Sequence, residues 1–241
     1  MKNVVLAAGY ATRLYPLTEN FPKPLLGIEG ISILDRLIAD VDLINDVDEH
    51  IIVVNHKFLP HFEKWATESN YTKAVTILDD GSDTNENRLG AVRDLLFAIE
   101  TKQLYDDDLL VIAADNVLTF SFSGFVDYFK DKQTSLIMTH YEPDITALQR
   151  TGVITIDSND RVLEMQEKPR EPKTHYAVPP FYIYKKNDIK YIQECISEGC
   201  NTDAPGNLVT YMLAKTVFHA WHMPGKRYDI GTLENYLNFS L

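Results

Sequence analysis

Cysteine is nearly absent from this chain, with Cys195 and Cys200 the two examples in 241 residues. Their spacing suits neither a C-x-x-C redox pair nor a zinc knuckle, which excludes a disulfide framework and a thiolate metal centre, so both read as free thiols. Positive charge is also scarce: 23 Lys and Arg face 35 Asp and Glu, for a formal net charge of −12. Without a basic face to reward a phosphate backbone or an anionic bilayer, neither nucleic acid nor membrane is expected as a partner. No apolar stretch approaches the roughly 18 residues of a membrane helix. The start MKNVVLAAGY has one lysine and a short apolar run that soon meets a glycine, too little for a signal peptide, so the expected compartment is the cytoplasm. The seven histidines are scattered and form no HxH or HxxxH pair, and none is assigned to a metal. Repeats, low-complexity runs and linker compositions are missing too, and a single domain over 1–241 is the expectation.

Hydrophobic residues make up 45% of the chain, enough for a sizeable core. Short apolar runs recur at Val4–Leu6, Ile51–Val54, Ala74–Leu78, Leu109–Ala113 and Ser135–Thr139. Between them, segments starting at Ile31, Lys57, Arg88 and Phe122 repeat apolar residues every three or four positions, as helices do. Alternating strand and helix predicts an α/β fold with a mostly parallel sheet flanked by helices. The second half changes character. Thr151–Ile156 and Arg161–Gln166 flank the turn composition DSND and predict an antiparallel hairpin, the beginning of a small β lid. A strand over Ala177–Tyr184, helices over Asn187–Glu198 and from Pro205, a strand over Thr216–His222 and a closing helix from Thr232 complete the reading.

Ligands of open α/β sheets bind outside the carboxyl ends of the parallel strands. The residues leaving those ends are Ala7-Ala8-Gly9, Asn55-His56, Asp79-Asp80-Gly81 and Ala114-Asp115-Asn116, and the rule predicts that they share a crevice. The first exit is the most informative: LAAGYATRLYPLTENFPKPLL, Leu6–Leu26. With little or no side chain at Ala7, Ala8 and Gly9, a flat base can lie against the backbone and use its amides. Arg13 offers a guanidinium fork and Lys23 a movable ammonium, both suited to phosphate. Pro16, Pro22 and Pro24 stiffen the segment and reduce the entropy lost on closing around an anion. Asp115, at the end of an apolar strand, needs compensation, and a cation such as Mg²⁺ with a second acid would supply it; Asp229 in RYDIGT is the candidate. Beyond these, Glu167-Lys168-Pro169 closes the hairpin, Asn87 could cap the helix that follows it, Gly90 permits a close approach, and Asp106-Asp107-Asp108 reads as a solvated turn.

The first loop resembles the signature LAAGxGTRLxPLTxxxPKPLL of the sugar-phosphate nucleotidyltransferases, and Asp115, Glu167-Lys168-Pro169 and Asp229 follow in the order of that family's GDN, EKP and DxGT motifs. Ala11 replaces the family's second glycine, which argues against a positive φ there, and Ala114 replaces the glycine before Asp115. The resemblance implies a Rossmann-like, GT-A-like fold and an enzyme that joins an NTP to a sugar 1-phosphate. It implies a nucleotide site of Leu6, Ala7, Ala8, Gly9, Arg13, Asn87 and Gly90, with Arg13 and Lys23 catalytic. It also implies Mg²⁺ on Asp115 and Asp229, and a sugar phosphate on Glu167 and Lys168. Thymidylyl transfer to a hexose 1-phosphate is the first expectation by family frequency, with other bases open. Relatives commonly form dimers or tetramers, so a homo-oligomer is expected. The chain closes soon after Asp229, and a C-terminal β-helix domain is not expected. Two alternatives stand: a cytidylyltransferase acting on phosphocholine or a similar alcohol phosphate, and a non-catalytic nucleotide-sugar sensor, against which both aspartates argue. The first strand is not followed by GxGxxG, which disfavours a nicotinamide enzyme.

Overall fold

The computed structural model describes residues 1–239. Along the chain run β1 (Lys2–Leu6), β2 (Gly27–Ile28), β3 (Ile31–Ser32), α1 (Ile33–Asp42), β4 (Glu49–Val54), α2 (Leu59–Glu68), β5 (Ala74–Asp79), α3 (Ala91–Lys102), β6 (Leu109–Ala113) and β7 (Asn116–Leu118). They are followed by α4 (Ser123–Lys132), β8 (Ser135–Tyr141), α5 (Ile145–Leu148), β9 (Gly152–Ile156), β10 (Val162–Glu167), β11 (Tyr176–Val178) and β12 (Phe181–Tyr184). Last come α6 (Lys190–Ser197), α7 (Pro205–Met212), β13 (Phe218–His222), β14 (Arg227–Asp229) and α8 (Leu233–Leu237). The predicted alternation holds. The strand expected over 177–184 is instead two, because Pro179 and Pro180 bring no N–H to a ladder and the Phe181 N–H turns back to Pro179 O at 2.8 Å.

The described residues fold as two compact units, each built from separated segments: 1–88, 112–123 and 225–239 form the first, Leu89–Val111 and Gly124–Pro224 the second. In the first, β1 pairs with β4 and β4 with β5, all parallel, with Val4 opposite Ile51. Their alternate side chains, Val5, Ile52 and Val54, pack with Leu34 and Ile38 of α1 and with Phe62 and Trp65 of α2. Ser32 caps α1 by accepting from Asp35 N at 2.9 Å, and the Asp35 carboxylate also accepts from Trp65 Nε1 and Tyr71 OH at 2.8 and 2.6 Å. One carboxylate thus ties two helices and a loop together. A short antiparallel ribbon, β7 with β14, sets Asp229 opposite Asn116.

In the second unit the strands follow the order β10-β9-β11-β8-β12-β6, with β13 parallel on β8 and the β8–β12, β8–β11, β11–β9 and β9–β10 pairs antiparallel. The predicted hairpin is β9–β10, with a register shift between Val162 and Glu164. The fold is α/β and Rossmann-like, with mixed strand pairing. Asp108 corrects one reading: its carboxylate is more than a solvated turn residue, since it accepts from Lys186 N at 2.9 Å.

Candidate active site

In the first unit the strand exits are sewn together by backbone and carboxamide groups. Ala7 N donates to Val53 O at 2.9 Å, Ala114 N to Leu6 O at 3.2 Å, and Asp80 N to Val54 O at 2.9 Å. Asn55, fully buried, donates from Nδ2 to Ala8 O at 2.9 Å and accepts from Phe58 N at 3.0 Å. Tyr10 donates to Ser82 O at 2.8 Å. Gly9 is exposed, and a methyl group there would meet nothing within 4 Å. The floor is therefore fixed from beneath and open above.

Ala11 overturns the expectation of a negative φ. It lies in the left-handed region at φ 48°, ψ 42°, held because its carbonyl accepts from Leu14 N at 2.9 Å and from the buried Thr18 hydroxyl at 2.8 Å. Arg13, itself exposed, follows on a single turn, Thr12–Leu14, whose Leu14 is buried.

Lys23 begins a second such turn, Lys23–Leu25, and is buried. Its Nζ lies 3.0 Å from Asp115 Oδ2 and 3.7 Å from Asp229 Oδ1. Lysine is almost never buried without a partner, and here two carboxylates supply it. Asp115 and Asp229 meet because the β7–β14 ribbon places them side by side, where Ile230 N donates to Asp115 O at 3.3 Å. The other Asp115 oxygen accepts from Asn116 Nδ2 at 2.6 Å, and Asn116 Oδ1 accepts from Arg227 Nη1 at 2.7 Å. Asn116 is 1% exposed, so this relay fixes the direction in which Asp115 faces. Two partly exposed carboxylates already gathered on one cation fit a divalent ion, which takes one or two carboxylates together with phosphate oxygens and water.

Asn87 is placed otherwise than expected. It does not cap α3; its Oδ1 accepts from Asp83 N at 3.1 Å and Thr84 N at 2.9 Å and so holds its own loop. The cap position belongs to Gly90 of the second unit, at φ 88°. There a Cβ would come within 3.0 Å of Thr202 O and 3.2 Å of Asp203 Cα, so the close approach that Gly90 allows is to the backbone of its own unit.

Glu167 ends β10 in the second unit, and Lys168 follows it. The Glu167 side chain is 17% exposed, and Lys168 Nζ is 3.8 Å from it. Burial pushes the Glu167 carboxyl above its ordinary value, and Lys168 works against that. A Cβ at Gly206, in the first turn of α7, would collide with Glu167 Oε2 and Met165 Cε. The glycine therefore makes the space in which the carboxylate lies. Sequence reading passed over Thr18, Arg227 and the space made at Gly206. It noted Asn55 and Asn116 only as strand exits. The available signal for the two asparagines was a carboxamide directly after an apolar strand or its terminal acid.

Parallel strands β1, β4 and β5 flanked by helices, with a buried lysine gathered by two carboxylates in the same unit, define an α/β protein of Rossmann-like fold. The chain belongs to the nucleotidyl transferase family, whose model matches residues 2–241. It is 29% identical to a glucose-1-phosphate adenylyltransferase of Fervidobacterium nodosum, covering 100% of this chain and 61% of that protein. A putative mannose-1-phosphate guanyltransferase of Sulfolobus acidocaldarius is 26% identical, over 99% and 62%. The chain thus spans about three-fifths of the length of these curated relatives. Among solved structures, a putative glucose-1-phosphate thymidylyltransferase from Bacillus anthracis superposes with TM-score 0.79 at 20% identity, covering 100% of this chain and 97% of that one. A UDP-glucose pyrophosphorylase complexed with UDP-glucose gives 0.82 at 19%, over 98% and 95%. At these identities the two structures speak for the fold.

Proposed function

We propose that the chain is a sugar-1-phosphate nucleotidyltransferase, joining an NTP to a sugar 1-phosphate and releasing pyrophosphate. The observation that carries the reading is the convergence of Lys23 with Asp115 and Asp229. The sugar phosphate oxygen attacks the α-phosphorus; one P–O bond forms as the bond to the β-phosphate oxygen breaks, and no protein nucleophile is needed. Catalysis is then positioning and charge neutralisation. The backbone of Leu6, Ala7, Ala8 and Gly9 receives the base, Arg13 binds the outgoing phosphates, and Lys23 supports the transferred one. Asn87 shapes the nucleotide side through the loop it holds. Glu167 accepts from the sugar hydroxyls, while Lys168 neutralises the sugar phosphate. Asp115 and Asp229 hold Mg²⁺, which when bound shields the phosphates from one another and draws charge from the reacting phosphorus. Such an enzyme works where NTPs are made, and the cytoplasm is the compartment we propose. Among the described residues, no helix is long and apolar enough to cross a membrane.

The test crosses each NTP against a panel of sugar 1-phosphates and phosphocholine, following Mg²⁺-dependent pyrophosphate release with Asp115→Asn as the blank. Release with a sugar phosphate supports the proposal and names both substrates. Release with phosphocholine alone replaces it with alcohol-phosphate cytidylyl transfer, and no release alongside nucleotide-sugar binding replaces it with a sensor.

A further inference from the structure

We infer that Lys23 is an internal counter-ion that competes with divalent metal for Asp115 and Asp229. The Lys23 side chain is 7% exposed, whereas its two partners are 40% and 50% exposed. The ammonium therefore sits on the inner side of the pair, shielded from water. Its nearest contact is Asp115 Oδ2 at 3.0 Å. The other oxygen of that carboxylate already accepts from Asn116, itself held by Arg227. A metal ligated by Asp115 thus draws on the oxygen that Lys23 occupies.

Charge makes the competition steep. Two carboxylates and one ammonium sum to −1; a divalent ion added beside the ammonium sets +3 against −2 where solvent hardly reaches the lysine. The metal binds well only when the ammonium finds another anion. On the function proposed above, on which this consequence rests, that anion is the NTP phosphate chain. Metal and nucleotide then tighten each other's binding by the same factor, because each relieves the lysine of its role.

The experiment is a Mn²⁺ titration of the protein without nucleotide, following loss of the free-ion EPR signal. Lys23→Met is expected to bind Mn²⁺ at least about tenfold more tightly than the wild type, within the range of ordinary coupling between sites. Lys23→Arg, which keeps the charge, is expected to remain as weak as the wild type, and adding Asp115→Asn to Lys23→Met to abolish the gain. Should the methionine variant lose its fold by circular dichroism, Lys23→Gln carries the same comparison. Equal affinity in wild type and neutral variant, or a gain that survives Asp115→Asn, overturns the inference. The titration uses neither NTP nor sugar phosphate, so a failed pyrophosphate assay bears on the proposed reaction and leaves this result standing.

Discussion

Ala11 is the residue at which local rules and tertiary context disagree most plainly. A left-handed alanine costs about 1–2 kcal/mol, and the turn keeps it because Leu14 N and the Thr18 hydroxyl both bond its carbonyl. Ala11→Gly should relieve that strain at a cost in unfolded-chain entropy of about 0.4–1 kcal/mol. The net expectation is a stabilisation of about 0.5–1 kcal/mol in urea denaturation; a destabilised variant would show the turn to be unstrained. Asp115 makes a different case. Asp115→Asn preserves size and the capacity to accept from Lys23 and removes one charge of the cation pair. Turnover should fall by about 10²-fold or more with an unchanged circular dichroism spectrum, and retained turnover would take Asp115 out of the machinery. Neither behaviour can be read from the first-loop motif as a string, because the strain at Ala11 is held by a hydrogen bond from the Thr18 side chain and the charge of Asp115 is paired by Lys23 from 92 positions away.

At the scale of elements, the deciding pieces are the ones too short to announce themselves. β7 and β14 are three residues each, less than any alternation pattern needs, yet their pairing brings Asp229 beside Asp115. Motif order allowed the two acids to be nominated together, whereas the Asn116–Arg227 relay behind them carries no pattern in the chain. The α7 start is similar. Pro205 marks it openly, but that Gly206 leaves room for Glu167 emerges only from packing. Gly206→Ala should displace the carboxylate and raise KM for the sugar 1-phosphate by about tenfold or more, while KM for NTP changes little. Steady-state kinetics with each substrate varied in turn decides it, and equal effects on the two constants would detach Glu167 from the sugar side.

For the molecule as a whole, stability against acid turns on a buried polar network in the first unit. His50, fully buried, meets Asn3 Nδ2 at 3.0 Å and Asp42 Oδ1 at 3.3 Å. An amide donor at Nδ1 requires the neutral ring, with its proton on Nε2 facing Asp42. Burial depresses the His50 pKa below 6.5, with Asp42 opposing. The unfolded chain therefore takes up the proton first, and stability is full above pH 6.5 and declines as pH falls below it. Burial also penalises the Asp42 charge, but hydrogen bonds from Thr72, Lys73 and His50 prevail and hold its pKa at about 2. Its contribution is present above pH 3.8 and is lost as pH falls toward 2. Urea midpoints should drop between pH 7 and 5.5 in the wild type and less in His50→Gln; identical slopes would dismiss the histidine.

Several features of this protein were determined by the sequence alone. Period-two and period-3.6 patterns set the strand and helix alternation, small residues left the first strand exit open at Gly9, and the order of the four motifs set the family. These are local properties, carried by neighbours within a few positions. What only tertiary structure decided is contact between distant positions, Lys23 between two aspartates and Asn55 under Ala8, together with side-chain bonds inside single loops, Thr18 holding Ala11 left-handed and Asn87 turned back on Asp83 and Thr84. Each depends on which short strand lies beside which and on where a buried polar group finds its partner, and hydrogen bonds across such distances leave no periodic trace in the chain.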